Sequence, residues 1–204
     1  KYGNVISQTQ TIRNWWGSGV VIPGRGFIMN NAMADFSAKA GVRTTQGLAY
    51  GMANAIRPGK TPLSSMSPTI VMKDGKPVLS VGAAGGPRII TSTLQLIINN
   101  LDYGMMMDSA VKHPHMCCLT LNQGLELEEG FSPDTIKLLA AKGHIIKNTT
   151  DFGELLVMPN GIRNIDGTFF PGGTSRVDGG GGALTASGTM AIDGLCFIDE
   201  KLTK

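Results

Sequence analysis

The stretch PLSSMSPTIVMKDGKPVLSVGAAGG, residues 62–86, is the most informative part of the sequence about the fold. It contains two apolar runs rich in β-branched residues, and Asp74 and Gly75 separate them. This pair suits the positive φ values of the tight turns that join antiparallel strands. The pattern therefore predicts a β-hairpin over residues 69–84.

Two helices are predicted downstream of this hairpin. In residues 88–104 the apolar side chains recur at three-and-four spacing and also occupy other faces, which is typical of a well-buried helix. A second helix is predicted to begin at Ser132, because serine caps helix N-termini and Pro133 tolerates the first helical position. Gly143 favours an end to this helix, so we expect it to run to about Lys142.

Strands are predicted on both sides of these elements. Residues 4–13 alternate in character at period two, and residues 20–31 form extended segments around a Pro-Gly-Arg-Gly turn. Residues 144–148 and 154–159 are strand-like and lead to a predicted turn at Asn160-Gly161. Strands with buried faces and two packed helices together indicate an α+β layered fold.

The composition excludes several classes of protein. Hydrophobic residues make up 42% of the 204 residues, which is enough to bury a substantial core. The net charge of +3 comes from scattered Lys and Arg, which do not form the basic stripe that nucleic-acid binding requires. No apolar run is long enough to span a bilayer. Cys117, Cys118 and Cys196 have no metal-ligand spacing, so we interpret them as small apolar side chains.

The two ends of the chain are less informative. The sequence begins at Lys1 without an initiator methionine or a signal pattern, as expected of a processed or truncated product, and it assigns no compartment. Residues 179–204 are dense in glycine and small side chains. That composition fits a flexible linker as well as a segment that its neighbours hold in place.

Four segments, in order, resemble the small subunit of the γ-glutamyltransferases. They are GFIMNNAMADFS at 26–37, RPGKTPLSSMSPTIVMKDGKPVL at 57–79, GAAGGPRIITSTLQLIINNLDYG at 82–104 and GFSPDTIKLL at 130–139. The Ser-Ser-Met-Ser-Pro motif, with a Gly-Gly pair and a helix behind it, is far more specific than a lone glycine-rich loop. The resemblance implies a catalytic domain over residues 1–178 and a glycine-rich extension over residues 179–204.

The resemblance also implies the chemistry of an N-terminal-nucleophile hydrolase. In that chemistry a precursor cuts itself immediately before a threonine, whose hydroxyl attacks a γ-glutamyl amide with its own amine as base. Water or an amine then resolves the acyl-enzyme, and no metal or organic cofactor takes part. A large subunit from the same precursor is expected to complete a four-layer α-β-β-α sandwich and to supply an arginine for the substrate carboxylate.

The nucleophilic threonine is implied a short distance upstream of Gly3-Asn4 and is absent from this chain. No internal threonine can replace it, because a residue within a chain has no free α-amine. Two interpretations stay open. Either the threonine belongs to the parent protein outside these residues, or the protein is a degenerate member that serves as a binding or structural subunit.

Three residues are implied in catalysis, each with a plainer alternative. Thr11 matches the threonine that hydrogen-bonds the nucleophile, and otherwise it is simply a strand residue. Gly85 and Gly86 match the pair whose backbone N–H groups form the oxyanion hole, where preorganised donors stabilise the tetrahedral intermediate. A turn before the helix is the alternative for this pair, and it is compatible with the catalytic role.

Three more residues are implied in binding the substrate. Asp35 matches the carboxylate that holds the substrate α-ammonium through a charge-assisted contact, and capping a turn is its alternative. Ser64 and Ser65 match the pair whose hydroxyls hydrogen-bond the substrate α-carboxylate. Taken alone, they would be ordinary loop serines.

Two departures from the family put glutathione in doubt as the donor. Arg13 and Ala32 stand where the family usually carries acceptors for the α-ammonium, and a cation with fewer partners is held poorly. Arg13 instead suggests that an additional substrate carboxylate, or no ammonium at all, occupies this corner of the site. The resemblance includes relatives with such chemistry, which act on poly-γ-glutamate, glutaryl-cephalosporins or oxamate amides. A solvent-facing residue or a structural ion pair is the alternative. His113 and His115 replace part of a different family segment and are assigned no catalytic role.

Overall fold

The computed structural model describes residues 4–44, 48–120, 124–147 and 157–176 and the strands at 181–184 and 190–193. Contacts divide the chain into two compact units. Unit 1 comprises Lys1–Thr9 and Met66–Lys204, and unit 2 comprises Gln10–Ser65.

Strands and helices of unit 1 build a mixed α and β structure with antiparallel sheets. The strands are β1 (Thr69–Lys73), β2 (Lys76–Ala84), β3 (Met116–Cys117), β4 (Glu126–Leu127), β5 (Met158–Ile165), β6 (Thr168–Gly172), β7 (Gly181–Leu184) and β8 (Met190–Asp193). The α-helices are α1 (Ile89–Leu101), α2 (Met107–Lys112) and α3 (Pro133–Ala141). The main antiparallel sheet has the strand order β1-β2-β5-β6, whereas β3 pairs with β4 and β7 with β8.

The hairpin predicted over residues 69–84 is confirmed. Asp74 (φ 50°) and Gly75 (φ 74°) form the turn between β1 and β2. Two consecutive positive φ values give the backbone twist that suits paired strands. The second half of β2 buries alternate residues, so one face of this strand contributes to the core.

The core lies where α1 and α2 pack on the main sheet. Its buried members are Leu79, Val81, Leu96, Met107, Ala110 and Val111. Helix α1 confirms the helix predicted within residues 88–104, and its Leu96 is fully buried. Helix α2 was not predicted, because it has only 6 residues and no side-chain cap. Each fully buried Leu or Val side chain contributes about 1.5–3 kcal/mol.

Helix α3 confirms the second predicted helix and its boundaries. The Oγ atom of Ser132 accepts a hydrogen bond from the Thr135 N–H at 3.1 Å, as an N-cap does. Gly143 follows the last turn with a φ of 91°. This left-handed backbone ends the helix at little cost only because the residue is glycine.

The turn predicted at Asn160-Gly161 is wrong, because both residues lie inside β5. Gly161 pairs with Gly172 of β6. A Cβ at Gly161 would meet Met107 Sδ at 2.8 Å, and a Cβ at Gly172 would meet the Met107 backbone at 2.7 Å. These glycines are therefore needed for the close approach of α2 to the sheet. The turn between β5 and β6 is Asp166-Gly167, with φ values of 49° and 88°.

The strand predicted at residues 4–13 is also wrong, because residues 4–13 belong to no sheet. The neighbours β1 and β5 already occupy both hydrogen-bonding edges of β2. In unit 1 the N-terminal segment contacts β2 through side chains instead: Ser7 Oγ donates to Val81 O at 3.2 Å, and Ser80 Oγ donates to Ile6 O at 3.3 Å.

The remaining strand predictions are met in part. Of residues 144–148, Ile146 makes an isolated parallel bridge to Leu125. Of residues 154–159, Met158 and Pro159 begin β5, as predicted, and residues 154–156 lie outside the described ranges. Strands β7 and β8 fall within residues 179–204. None of the helices in the described part of the chain is long and apolar enough to cross a membrane.

The described residues of unit 2 are largely irregular. The extended segments predicted within residues 20–31 are confirmed by an antiparallel bridge between Val21 and Ile28. Two short 3₁₀ helices, Ala32–Asp35 and Met52–Asn54, interrupt the loops. Among the described residues of this unit, Phe36 is the one buried large apolar side chain. We therefore infer that hydrogen bonds, more than apolar packing, hold unit 2 together.

We expect Gly172→Ala to lower the free energy of unfolding by about 1–3 kcal/mol, because the new methyl group would collide with the backbone at Met107. Gly51→Ala is a suitable control, since a Cβ there meets nothing within 4 Å and its φ is −85°. Thermal melting of the processed protein measures both. An unchanged melting temperature for Gly172→Ala would show that α2 does not pack this closely on β6.

Candidate functional site

In unit 2 the fold brings Thr11, Arg13 and Asp35 together. The Nε atom of Arg13 donates to Asp35 Oδ1 at 2.7 Å, and its Nη2 donates to Ala34 O at 3.2 Å. The Thr11 hydroxyl accepts a hydrogen bond from the Arg13 N–H at 2.8 Å. Arg13 has a φ of 76°, a left-handed conformation that costs energy in a residue with a side chain.

The Arg13–Asp35 contact is the structural ion pair that the sequence left open as an alternative. Their side chains are 24% and 37% exposed, so the pair contributes no more than about 1 kcal/mol to stability. Its chemical effect is larger, because a carboxylate paired with a guanidinium attracts a second cation less strongly. A ligand ammonium at Asp35 would have to compete with Arg13.

Asn54 connects Asp35 with the segment that leads into Ser64. Its Nδ2 donates to the backbone oxygen of Asp35 at 2.7 Å, and its Oδ1 accepts from the Leu63 N–H at 3.0 Å. Ser64 is exposed and Ser65 is half-buried. Sequence analysis missed Asn54, because nothing in the surrounding pattern distinguishes it from a loop asparagine.

Tyr50 also lies near the ion pair and was not predicted. Burial raises the pKa of its hydroxyl, the charge of Asp35 raises it further, and Arg13 opposes both effects. The hydroxyl therefore stays protonated at neutral pH and can donate a hydrogen bond. No periodicity or motif in the sequence signals this tyrosine.

In unit 1, Gly85 and Gly86 form the junction between β2 and the helices that follow. Their φ values are 137° and 59°, and Gly86 begins a 3₁₀ helix, Gly86–Arg88, that continues directly into α1. Backbone N–H groups accumulate at such a helix start and favour negative charge. Both residues occupy conformations that other amino acids rarely adopt.

An ion-pair network fixes the start of α1 to the neighbouring strand. Arg88 Nη2 lies 2.8 Å from Glu126 Oε2, and Lys147 Nζ lies 2.8 Å from Glu126 Oε1. Burial alone would raise the pKa of Glu126, but the hydrogen bond from Lys147 and the charge of Arg88 lower it below its usual value. Glu126 therefore stays ionised and anchors Arg88, two residues after Gly86.

A second charged pair of unit 1 is fully buried. Arg176 Nε donates to Glu128 Oε1 at 2.7 Å, and its Nη2 donates to Glu128 Oε2 at 2.6 Å. The same guanidinium donates to the backbone oxygens of Val111 and His113 at 2.6 Å and 2.9 Å. Burial would raise the pKa of Glu128, but the hydrogen bonds from Arg176 and the His115 N–H lower it. Sequence analysis did not assign either residue.

His115 lies beside this buried pair. Its side chain is 1% exposed, and neither ring nitrogen has a hydrogen-bond partner among the described residues. Burial lowers its pKa to about 4, Arg176 and His113 lower it as well, and Glu128 opposes them. His115 is therefore neutral at pH 7 and lies in the interior of unit 1.

Cys117 is buried, as expected for a small apolar side chain, and Cys118 is exposed. Burial raises the pKa of the Cys117 thiol, although a hydrogen bond with Thr91 lowers it. Cys196 lies outside the described residues. Across the described ranges, no group of three or more His, Cys, Asp or Glu side chains could hold a metal ion.

The predicted site residues are divided between the two units. Thr11, Arg13, Asp35, Ser64 and Ser65 belong to unit 2. Gly85 and Gly86 belong to unit 1. Each unit therefore carries a different part of the predicted chemistry, with acyl-group recognition in unit 2 and the backbone donors in unit 1.

Comparisons with known proteins show which family the chain is similar to. A family model described as gamma-glutamyltranspeptidase matches residues 1–180. The glutathione hydrolase proenzyme of Escherichia coli is 46% identical over 164 residues, 79% of this chain and 28% of that protein. The acylase ACY 1 proenzyme of a Pseudomonas species is 36% identical over 197 residues, 96% of this chain and 32% of that protein. The chain thus spans at most about a third of the length of these two relatives.

A solved structure is also similar. The crystal structure of a variant of Helicobacter pylori gamma-glutamyltranspeptidase is 39% identical in sequence and matches with a TM-score of 0.77. The match covers 86% of this chain and 95% of that chain. The mixed α and β architecture with antiparallel sheets is therefore shared with an experimentally determined structure.

We expect the buried His115 to make stability depend on pH between about 6.5 and 4. Its folded pKa of about 4 lies below the ordinary value of 6.5, so the unfolded chain binds the proton first as the pH falls. The free energy of unfolding should therefore drop by about 2–4 kcal/mol from pH 7 to pH 4. Glu128 adds its own loss once the pH falls towards the ordinary carboxyl value of 4.5, because its pKa in the folded protein is lower than that value.

The measurement is urea unfolding of His115→Leu at several pH values. This variant should flatten the dependence between about pH 6.5 and pH 5, since no ring remains to be protonated and the lowered pKa values of Glu126 and Glu128 act only nearer pH 4.5 and below. His144→Leu, at an exposed position, should retain the slope of the parent protein. A slope that persists in His115→Leu would contradict the assignment.

Proposed function

The chain belongs to the gamma-glutamyltranspeptidase family, and on that premise we propose that it forms the catalytic part of an N-terminal-threonine amidohydrolase or acyltransferase. The proposed substrates are small-molecule or peptide-like amides whose acyl group carries a carboxylate, with γ-glutamyl amides as the reference case. The proposed reaction proceeds through an acyl-enzyme and uses no metal or organic cofactor.

The observation that carries the proposal is the backbone at Gly85 and Gly86. Two consecutive positive φ values stand at the point where a buried strand ends and a helix begins. N–H groups in this position can be directed at an oxygen that becomes negatively charged during the reaction, and they need no reorganisation to stabilise it. The Arg88–Glu126 ion pair supports this role, because it restrains the residues that follow Gly86.

The proposed nucleophile is a threonine upstream of Lys1 in the parent protein. Its hydroxyl adds to the amide carbon while its own α-amine accepts the hydroxyl proton, and the C–N bond then breaks as that proton passes to the leaving amine. Water or a second amine attacks the resulting ester and restores the threonine. Thr11 is proposed to hydrogen-bond this nucleophile.

The proposed acyl-group site consists of Asp35, Ser64 and Ser65. The two hydroxyls can donate hydrogen bonds to a substrate carboxylate, and an arginine of the large subunit is proposed to bind the same group. Asp35 is proposed to meet the opposite side of the acyl group. Its hydrogen-bonded connection to the serine segment through Asn54 supports a common site.

Arg13 is proposed to decide which donor this site accepts. Its ion pair with Asp35 removes much of the attraction for an α-ammonium group, which favours acyl groups that lack one. Glutaryl-type and similar amides are therefore the favoured alternative to glutathione. The similarity to an acylase proenzyme supports this alternative. A donor with an additional carboxylate is accommodated if Arg13 releases Asp35 and binds the donor's carboxylate instead.

The proposed partner is the large subunit from the same precursor, which would complete a four-layer α-β-β-α sandwich. Apolar side chains on the main sheet, including Ile162 and Phe169, are 40% and 52% exposed. Covering such side chains is the usual reason for a second layer against a sheet. A domain over residues 1–178 with a separate extension over residues 179–204 remains part of this proposal.

Intact-mass spectrometry of the full-length gene product tests the proposed reaction. After incubation with glutathione, glutaryl amides and oxamate amides in parallel, we expect two chains, the smaller beginning with threonine and carrying one acyl group. A chain that is never cut and gains no acyl group would support a non-catalytic binding or structural subunit instead.

The Arg13–Asp35 ion pair leads to a prediction on specificity. Arg13→Asn should shift the ratio of kcat/KM for γ-glutamyl over glutaryl anilides by about tenfold towards the γ-glutamyl donor, because it frees the Asp35 carboxylate. Arg25→Asn removes an equal charge from an exposed turn of the same unit and should leave the ratio unchanged. Equal shifts in both variants would indicate a general charge effect.

A further inference from the structure

The side-chain amide of Asn54 contacts two distant parts of unit 2. Its Nδ2 reaches the backbone of Asp35, 19 residues earlier, and its Oδ1 reaches the backbone of Leu63, 9 residues later. Ser64 follows Leu63 directly. One planar group therefore determines the separation between the segment of Asp35 and the segment of the two serines.

The position of Asn54 is itself fixed by further hydrogen bonds. Its backbone oxygen accepts from the Ser37 N–H at 2.9 Å, and the Ser37 hydroxyl donates to Gly51 O at 3.0 Å. Ser37 is buried and lies two residues after Asp35. The segments of Asp35 and Asn54 are thus tied by backbone and side-chain contacts, so the amide has little freedom to move.

We propose that Asn54 is a positioning residue of the acyl-group site, a role that rests on the function proposed above. An acyl group with two polar ends is bound well only when the protein holds the two matching sites at the corresponding distance, and a displacement of about 1 Å can cost a large factor in activity. Asn54 maintains that distance without touching the substrate, because both of its side-chain hydrogen bonds go to backbone atoms.

An asparagine with a purely structural role should affect stability without affecting KM. Asn164 provides the matched comparison. Its Nδ2 donates to Pro77 O at 2.8 Å, and its Oδ1 accepts from the Gly167 N–H at 2.9 Å. Both asparagines are half-buried, and each would lose one donated and one accepted hydrogen bond on truncation. Asn164 belongs to unit 1, whereas the proposed substrate-binding residues belong to unit 2.

The test compares Asn54→Ala with Asn164→Ala in the full-length, self-processed protein, using γ-glutamyl and glutaryl anilides. We expect Asn54→Ala to raise KM about tenfold with kcat changed less than about threefold, because the segments of Asp35 and Ser64 would no longer be held at the separation that the acyl group requires. Asn164→Ala should leave KM within about twofold of the parent value. Its melting temperature should fall by about as much as that of Asn54→Ala, because each variant loses two hydrogen bonds. An unchanged KM in Asn54→Ala, or an equal rise in both variants, overturns the proposal.

Two further measurements keep the outcome decisive. If Asn54→Ala does not fold, Asn54→Asp retains the acceptor for the Leu63 N–H and loses the donor to Asp35, so an unchanged KM in this variant also overturns the proposal. A parent protein that turns over no donor refutes the proposed function. In that case, hydrogen exchange at the Leu63 amide tests the hydrogen-bonded link from Asn54 to the serine segment. Exchange should be faster in Asn54→Ala than in Asn164→Ala, and equal rates overturn the positioning role.

Discussion

The buried ion pair between Glu128 and Arg176 is the constraint on which much of unit 1 depends. Two fully buried charges are tolerated only when hydrogen bonds satisfy nearly all of their polar atoms. Here the guanidinium binds both carboxylate oxygens and also the backbone at Val111 and His113. The pair therefore joins the end of α2, the strand pair β3–β4 and the segment after β6, and a shift of any one would leave a charge unpaired.

The second constraint is steric. The paired glycines Gly161 and Gly172 provide a surface without side chains, on which Met107 at the start of α2 can pack. The same helix ends at the residues whose backbone oxygens receive Arg176. Helix α2 is thus held at both ends, by close packing at one and by hydrogen bonds at the other, which explains how a helix of 6 residues keeps a fixed place.

Local signals in the sequence were sufficient for some elements and insufficient for others. Asp74-Gly75 and Ser132 act within a few residues of themselves, so the hairpin and α3 could be predicted from sequence alone. Gly161 resembles a turn signal in sequence, but a glycine is required there because a distant helix packs against this position. Arg13 could be identified as unusual, whereas its pairing with Asp35 depends on a contact across 22 residues. Asn54 and Tyr50 contribute through tertiary contacts that leave no periodic pattern.

Unit 2 has a thermodynamic property that follows from Phe36 being the one large apolar side chain buried among its described residues. Unfolding of this unit exposes little apolar surface, so its heat-capacity increment per residue is small and its stability curve is flat. A region held by hydrogen bonds opens locally at lower free energy than a packed core. We therefore expect heating to open unit 2, which carries the proposed acyl-group site, before unit 1.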